Sequence, residues 1–227
     1  TTERNSYRPI SLILTFSKII EKLVLNGLLL YLEQHNLQNK QKHGFLKGRS
    51  TTTAIIQLTE HILDQLEEGC TATTLFLDCD KAFDCLNHDL LLFKLRNLGV
   101  RGGAERWFAS YLSKRKQLVE INYIKNNTKY KALSRVADIQ RGVPQGLVLG
   151  PVLFLLLTND MPGWIAENGH TVMYADDTVL TFADRTLELL EEKKKLTIPE
   201  NQTILLHQRP SFKLKQNSAD DFHHQTQ

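Results

Sequence analysis

Cysteine is scarce in this 227-residue chain, and the few cysteines present follow no disulfide or metal-binding pattern. Cys70, Cys79 and Cys85 form an odd set without a C-x-x-C spacing. Because disulfide frameworks use even sets of cysteines and zinc knuckles use paired ones, the sequence argues against both. We therefore expect a protein that works in a reducing, intracellular environment.

Long apolar runs are also missing. The segment "PVLFLLL" at 151–157 is much shorter than the roughly 18–20 residues that a transmembrane helix requires, so no membrane association is expected. The first residues lack the features of a signal peptide, and Thr1 stands in place of Met, from which we expect a fragment of a longer product. An apolar fraction of 41% is typical of globular proteins, and the length allows one large core or two smaller lobes.

Charge is small in total but unevenly distributed. The net charge is +3, yet residues 1–50 contain eight Lys and Arg against three Asp and Glu, and residues 91–150 contain twelve against three. Residues 51–90 contain one against eight, and residues 151–200 contain four against nine. Two interpretations are open: chance patterning of solvated surfaces, or a basic track for a polyanion beside an acidic site.

The periodicity of apolar residues predicts a mixture of helices and strands, which is typical of an α+β fold. Ser17 is the predicted N-cap of the first helix, and Asn126–Asn127 is the predicted turn of one hairpin. A second hairpin is expected within His170–Phe182, with Ala175 to Asp177 at or beside its tip. In chain order, the predicted elements are helices over 17–35 and 50–68, a strand over 70–80, helices over 89–98 and 104–112, strands over 116–122 and 128–134, a helix over 151–160, and strands on either side of 175–177.

Three aspartates stand where apolar strands end or turn. Asp78 lies near the end of the predicted strand over 70–80, and Asp176 and Asp177 interrupt an apolar, β-prone run. An exposed turn would explain the adjacent pair. If the two strands are neighbours, however, all three carboxylates meet at one edge of a sheet, and such oxygen ligands favour Mg²⁺ or Mn²⁺. Two such ions about 3.5–4 Å apart assist phosphoryl transfer, whose polyanionic substrate the basic segments would hold.

Five motifs occur in order along the chain: "YRPISL" at 7–12, "HGFLKGRSTTTAI" at 43–55, "LFLDCDKAFDCLNHDLLLFKL" at 75–95, "RGVPQGLVLGPVLFLLLTNDMP" at 141–162 and "YADDT" at 174–178. Together they resemble the reverse transcriptase domain of non-LTR (LINE-type) retrotransposons, particularly of the jockey-like group. The resemblance covers roughly Tyr7 to Ala183. "YADD" alone would be a weak signal, but five ordered motifs are specific.

The resemblance implies a right-hand polymerase palm with fingers, in which an antiparallel palm sheet packs on helices. Residues 7–184 would form fingers and palm, with 1–72 mainly fingers and 73–184 mainly palm, apart from a fingers insertion near 115–140. Residues 185–227 would form a divergent polar tail, for which disorder is one expectation. The implied activity is RNA-directed DNA polymerisation, in which a primer 3′-hydroxyl attacks a dNTP on an RNA template.

The implied partners are an RNA template, a DNA primer or target, and dNTPs, within a longer polyprotein that also carries an endonuclease. The implied location is the nucleus or a cytoplasmic ribonucleoprotein. Asp78, Asp176 and Asp177 would be the catalytic residues and would bind two Mg²⁺ ions, with Mn²⁺ as an alternative. The backbone carbonyl of Cys79 would be a further ligand. Phe83 would be the steric gate that excludes a ribose 2′-hydroxyl, and an ordinary core aromatic is the alternative role.

The resemblance also implies contacts between the fingers motifs and the substrate. Arg8, Lys47 and Arg49 would face the triphosphate and the template backbone, while a solvated loop is the alternative for Lys47 and Arg49. Gln145 and Gly146 would lie against the nascent base pair and sugar, where a glycine permits close approach of the backbone.

Three positions differ from the family pattern. Leu46 stands where the second motif has Arg, and without that charge-assisted hydrogen bond nucleotide binding would be weaker by about 1.5–3 kcal/mol. Asp80 and Leu147 replace serines. Because neither the family's Trp-containing helix nor its Lys-bearing motif is recognised in 191–227, the thumb is expected to be missing. A truncated, catalytically inactive remnant that at most binds nucleic acid is therefore the second interpretation. An unrelated metal-dependent hydrolase is the third, although no residue pattern indicates its general base.

Overall fold

The computed structural model describes residues 10–79, 83–84 and 86–198, together with the backbone of 212–215. Arg8, one of the expected substrate-binding residues, lies outside the described residues. The helices are α1 (Thr15–Gln34), α2 (Thr51–Glu67), α3 (His88–Asn97), α4 (Gly103–Leu112), α5 (Gly150–Leu157), α6 (Met161–Ile165) and α7 (Leu187–Thr197). The strands are β1 (Thr71–Cys79), β2 (Lys116–Gln117), β3 (Glu120–Lys125), β4 (Thr128–Leu133), β5 (Ala137–Asp138), β6 (His170–Tyr174), β7 (Asp177–Asp184) and β8 (Phe212–Lys215).

The start of α1 differs from the prediction. The helix begins at Thr15, and Leu14 occupies the N-cap position without a side-chain hydrogen bond. Ser17, the predicted N-cap, is therefore the third residue of the helix. A capping hydroxyl identifies a helix start only when it precedes the first turn. The apolar stripe shows which face of α1 is buried but does not fix where the helix begins.

The start of α2 confirms the prediction. The Ser50 hydroxyl accepts a hydrogen bond from the backbone N–H of Thr53 at 3.2 Å. The Thr53 hydroxyl in turn accepts one from the backbone N–H of Ser50 at 2.9 Å. This reciprocal capping box satisfies two backbone donors and fixes the point where the preceding basic loop enters the helix.

The main sheet has the strand order β6-β7-β1-β8, and all neighbouring strands are antiparallel. Leu77 of β1 lies opposite Thr178 of β7, and both side chains are buried. This face of the sheet packs on Phe154 of α5 and Met161 of α6. Because side chains alternate along a strand, the residue after Leu77 points to the opposite face of the sheet.

A second core lies between helices. Most of its buried residues come from α1, α3, α4, α5 and the segment before α5, and they include Leu32, Leu91, Phe108 and Leu149. α5 belongs to both cores, because Leu153 packs in the helical core and Phe154 packs under the sheet. The apolar run at 151–157 is thus a buried helix, as predicted. Within the described part of the chain, none of the helices has the length and apolarity to cross a membrane.

β3 and β4 form the hairpin predicted around Asn126–Asn127. Both asparagines have positive φ angles, 50° and 59°, as a two-residue type I′ turn requires. Further along, α7 is an 11-residue helix within the segment 185–227 that the sequence predicts to be a polar tail. Thr186 caps it, because its hydroxyl accepts a hydrogen bond from the N–H of Leu189 at 3.3 Å.

Candidate active site

Asp78 and Asp177 lie directly opposite each other. They are partners in the antiparallel register of β1 and β7, so their side chains share one face of the sheet. Directly opposed residues have Cβ atoms about 4.5–5.5 Å apart. Asp177 is exposed and Asp78 is partly exposed. The condition under which the aspartates would meet, that β1 and β7 are neighbours, is therefore met.

Asp176 lies in the turn that joins β6 to β7. Tyr174 pairs with Asp177, which leaves Ala175 and Asp176 as a two-residue hairpin turn. Ala175 has a φ angle of +55°, a conformation that favours glycine and that alanine adopts at a cost of about 1–2 kcal/mol. Such strain persists only where the surrounding structure enforces it, and it is concentrated at functional sites.

The surrounding structure that holds this turn is the loop between α1 and α2. The backbone N–H of Met173 donates to the carbonyl of Gln41 at 2.9 Å, and the N–H of His43 donates to the carbonyl of Met173 at 2.8 Å. A Cβ atom on Gly44 would lie 2.7 Å from the Cα of Ala175 and closer still to its backbone nitrogen. Only glycine fits there, so the loop packs directly against the turn. Sequence reasoning missed this contact, and the only available signal was the glycine of the second motif.

His43 ties the same loop to α2. Its Nδ1 lies 2.9 Å from the hydroxyl of Thr53, and its Nε2 lies 2.6 Å from the side-chain oxygen of Gln57. Burial lowers the pKa of His43, against the opposing effect of the Gln57 hydrogen bond, and the Arg49 charge lowers it further. The imidazole therefore links the loop to the helix through both of its ring nitrogens.

Lys42 ties the loop to α5. Its Nζ donates to the carbonyl of Leu155 at 2.6 Å and to the hydroxyl of Thr158 at 2.7 Å. Burial holds the pKa of Lys42 well below its usual value, and the nearby Lys94 charge lowers it further. The last carbonyls of a helix lack intrahelical partners, and Lys42 satisfies one of them.

The basic residues of the loop differ in their surroundings. Lys47 is exposed, whereas Arg49 donates from Nη1 to the carbonyl of Lys40 at 2.7 Å and so helps to close the loop. Leu46 lines a small apolar cavity with Leu29 of α1 and other residues. The residue that replaces the family's Arg is thus used in packing. The expected contacts of Lys47 and Arg49 with nucleotide stay predictions.

Phe83 lies between the two cores and is partly buried. Its ring centroid is 5.9 Å from that of Phe154, with the rings tilted by 50°. Its backbone carbonyl accepts a hydrogen bond from the N–H of Val143 at 2.8 Å. The ring therefore has a packing role, and its role as a steric gate stays a prediction.

The loop before α5 carries Gln145 and Gly146. Gly146 is exposed and has a φ angle of +99°, and the Gln145 carbonyl accepts a hydrogen bond from the N–H of Ser11 at 3.0 Å. Leu147, which replaces the family's serine, is buried in the helical core. The two expected substrate contacts thus lie on an open, positive-φ turn whose next residue is fixed in the core.

Glu21 fixes the start of α5 from 127 residues away in sequence. Its carboxylate, only 2% exposed, accepts hydrogen bonds from the N–H groups of Val148 at 2.7 Å and Leu149 at 3.3 Å. A carboxylate at a helix N-terminus satisfies free donors and interacts favourably with the helix dipole. Sequence reasoning missed this residue, since nothing local distinguishes it from a surface glutamate of α1.

The site offers carboxylate oxygens, which are the donors that Mg²⁺ and Mn²⁺ prefer. The register brings Asp78 and Asp177 together, with Asp176 next in sequence, and each of the paired aspartates also interacts with neighbouring groups. Over the described ranges, no group of three or more His, Cys, Asp or Glu residues is arranged to hold a metal ion. The donor chemistry therefore fits a hard divalent cation, whereas the side chains are not drawn around a common point.

The fold resembles that of a solved telomerase structure. The structure of apo telomerase from Candida tropicalis, truncated from its C-terminal domain, matches 89% of this chain and 41% of its own, with a TM-score of 0.54 and 14% sequence identity. At this identity the similarity shows the fold alone. Together with the antiparallel sheet and its helices, it defines the class as a polymerase palm with fingers, as predicted.

Sequence comparison identifies the family. The model described as "Reverse transcriptase (RNA-dependent DNA polymerase)" matches residues 2–203, and the chain belongs to this family. It is 33% identical over 198 residues to the RNA-directed DNA polymerase from mobile element jockey of Drosophila melanogaster, covering 86% of this chain and 20% of that protein. It is 32% identical over 190 residues to the probable RNA-directed DNA polymerase from transposon BS of the same organism, covering 78% and 19%.

These relatives confirm that the chain is a reverse transcriptase domain of the non-LTR retrotransposon type. The chain spans about a fifth of the length of the curated relatives it matches. The jockey-like resemblance of the five motifs is thus confirmed.

Proposed function

We propose that this chain carries the active site of an RNA-directed DNA polymerase, which joins a dNTP to the 3′-hydroxyl of a primer on an RNA template. The observation that carries the proposal is the register that sets Asp78 opposite Asp177 beside a strained hairpin turn, in a chain of the reverse transcriptase family.

Asp78, Asp176 and Asp177, with the backbone carbonyl of Cys79, would hold two divalent ions, Mg²⁺ or alternatively Mn²⁺. Bound ions of this kind supply charge stabilisation to the attacking and leaving oxygens of an in-line displacement. The protein's own contribution is geometric. The β1–β7 register fixes two carboxylates, and the contact of Gly44 with Ala175 fixes the turn that bears Asp176.

The substrate would lie between this sheet face and the loops. Exposed Lys47, with Arg49 and Arg8, would neutralise the triphosphate and the template backbone. Gln145 and Gly146 would face the nascent base pair, and the partly exposed ring of Phe83 would exclude a 2′-hydroxyl. The family relationship supports an RNA template and a DNA primer or target as partners.

The location and the wider assembly follow from the same proposal. The protein would act inside the cell, in the nucleus or in a cytoplasmic ribonucleoprotein. The relatives are about five times longer than the matched segment, which supports a longer polyprotein. An endonuclease would be another part of that polyprotein.

Primer extension tests the proposal directly. With Mg²⁺, a poly-A RNA template, an oligo-dT primer and dTTP, the parent chain is expected to extend the primer. Asp176→Asn is expected to abolish extension, because the amide removes a charge from the metal-binding set. Glu192→Gln, which removes a charge on α7, is the matched control and should extend like the parent. Binding of template and primer by the parent without any extension would contradict the proposal and favour the inactive remnant.

A further inference from the structure

The β3–β4 hairpin presents both of its faces to solvent. Every residue of both strands is exposed. Tyr123 and Tyr130 are direct cross-strand partners whose rings stack, with centroids 5.5 Å apart and planes 20° from parallel. The two tyrosine residues are still 45% and 44% exposed, so the outer surfaces of the stacked pair face water. Tyrosine is enriched at binding interfaces, so this exposed stacked pair is a candidate binding surface.

Strand alternation sorts the hairpin residues into two faces. Ile121, Tyr123 and Lys125 share one face of β3, and Tyr130 and Thr128 lie opposite them. We call this set the aromatic face. Its apolar rings are therefore followed, at the turn, by a lysine on the same side.

The hairpin is also strongly basic. Residues 113–141 contain eight Lys and Arg against two Asp and Glu. Glu120 pairs with Lys131 at 2.8 Å, and Asp138 lies 3.9 Å from Lys116, so each acidic group is matched by a lysine. Within the part of the chain that the structure describes, Lys125 forms no ion pair. The surplus positive charge of this segment is complementary to a polyanion.

We propose that the aromatic face binds single-stranded nucleic acid, with bases stacked on the outer surfaces of Tyr123 and Tyr130 and a phosphate neutralised by Lys125. Aromatic rings joined to a basic surface bind single strands because every base has a face that can stack. A duplex hides those faces within its own base stack, so the same surface discriminates against it.

The position of the hairpin in the chain identifies which strand it would hold. The base of the hairpin is closed by the pairing of β2 with β5, and a few residues later the chain enters the loop of Gln145 and Gly146. A single strand on the aromatic face would thus lie on a hairpin whose base leads directly along the chain into the substrate loop. Naming that strand as the unpaired RNA template rests on the proposed function, whereas binding of single strands by the hairpin does not.

The experiment measures binding by fluorescence anisotropy, with the full chain, Asp176→Asn throughout and no dNTP present. The probes are labelled oligo(rU), oligo(dT) and the duplex of oligo(rU) with oligo(dA), each of about 15 nucleotides to cover a typical single-strand site. The unsubstituted hairpin should bind both single strands more tightly than the duplex. Tyr123→Ala with Tyr130→Ala should weaken single-strand binding by about 100-fold, about 10-fold for each of the two stacked bases.

Two further variants keep the test valid if the alanine pair disturbs the hairpin. Tyr123→Phe with Tyr130→Phe retains the rings and should bind within about twofold of the starting protein. Lys125→Gln retains the aromatic pair and should reduce the slope of log affinity against log salt by about 0.7, the contribution of one phosphate that is no longer neutralised. Lys195→Gln, on exposed α7, is the control cation and should leave the slope unchanged.

The outcomes separate this inference from the proposed function. If the alanine pair binds oligo(rU) as tightly as the starting protein, or if duplex binds as tightly as single strand, the hairpin is not a single-strand surface. If the alanine pair changes the oligomeric state of the protein but not its affinity for nucleic acid, the inference is also overturned. Hairpin-dependent binding by a parent chain that extends no primer would sustain the inference while the proposed function fails.

Discussion

Gly44→Ala is the sharpest test of how the hairpin turn is held. The added methyl group would lie 2.7 Å from the Cα and 3.1 Å from the Cβ of Ala175. Backbone atoms cannot rotate away, so either the loop or the turn must move. Favourable contacts between such atoms lie at about 3.5–4.0 Å, so relief requires a displacement of about 1 Å.

Two measurable effects are expected from that displacement. Overpacking of this kind costs about 1–3 kcal/mol, which lowers Tm by about 2–12 °C in a domain of this size. A misplacement of about 1 Å at a reacting centre costs about 100-fold in rate. Gly44 contacts the residue next to Asp176, so the rate of primer extension should fall by about 100-fold. At about 20 °C this fall should exceed the one that the smaller fraction of folded protein explains.

Gly27→Ala is the matched control. Gly27 is an exposed position inside α1 with no atom within 4 Å of an added Cβ. Alanine there should raise stability by up to about 1 kcal/mol, because it has the higher helix propensity, and should leave extension unchanged. Differential scanning calorimetry and initial extension rates measure both variants. A Gly44→Ala protein with parental Tm and parental rate would refute the view that this contact positions the turn.

Two other predictions concern buried polar groups. Glu21→Ala leaves the N–H groups of Val148 and Leu149 without their acceptor and should cost about 2–4 kcal/mol, measured by urea unfolding; an unchanged midpoint would contradict the capping role. Burial, and then the charge of His61 stacked 4.1 Å away, lower the pKa of His170 to about 4. The unfolded chain binds a proton on His170 near pH 6.5, whereas the folded chain does not. The contribution of neutral His170 to the free energy of unfolding is therefore complete above about pH 6.5 and is lost as the pH falls toward 4. Between about pH 7.5 and 5, the parent should therefore lose about 1 kcal/mol more stability than His170→Phe, a figure that allows for the partial exposure of His170. Equal losses in both proteins would contradict the assignment.

Local chemistry made several elements predictable from sequence. Ser50 and the Asn126–Asn127 turn are recognisable because the residues that satisfy the backbone lie within three positions of one another. Asp78 and Asp177 were identified as a pair only through the assumption that their strands are neighbours, which the register confirms. The motifs then identified the family, which the comparisons confirm.

What stayed hidden from the sequence depends on distant parts of the chain. Glu21 reaches a helix that begins more than 120 residues later, and Gly44 meets Ala175 across a similar separation. Neither contact leaves a local pattern, because it is created only when the two segments pack. The start of α1 was misplaced for a related reason, since apolar periodicity reports a buried face and not the end of a helix.

α5 has consequences for how such domains can exchange segments. Its neighbouring residues Leu153 and Phe154 belong to different cores, so the helix has no face that only solvent contacts. A chain divided within α5 would leave both halves with an open core, and two such pieces should not fold separately. A recombinant that imported this helix from a relative would have to match two sets of neighbours at once, so viable crossovers are expected in the exposed β3–β4 hairpin instead.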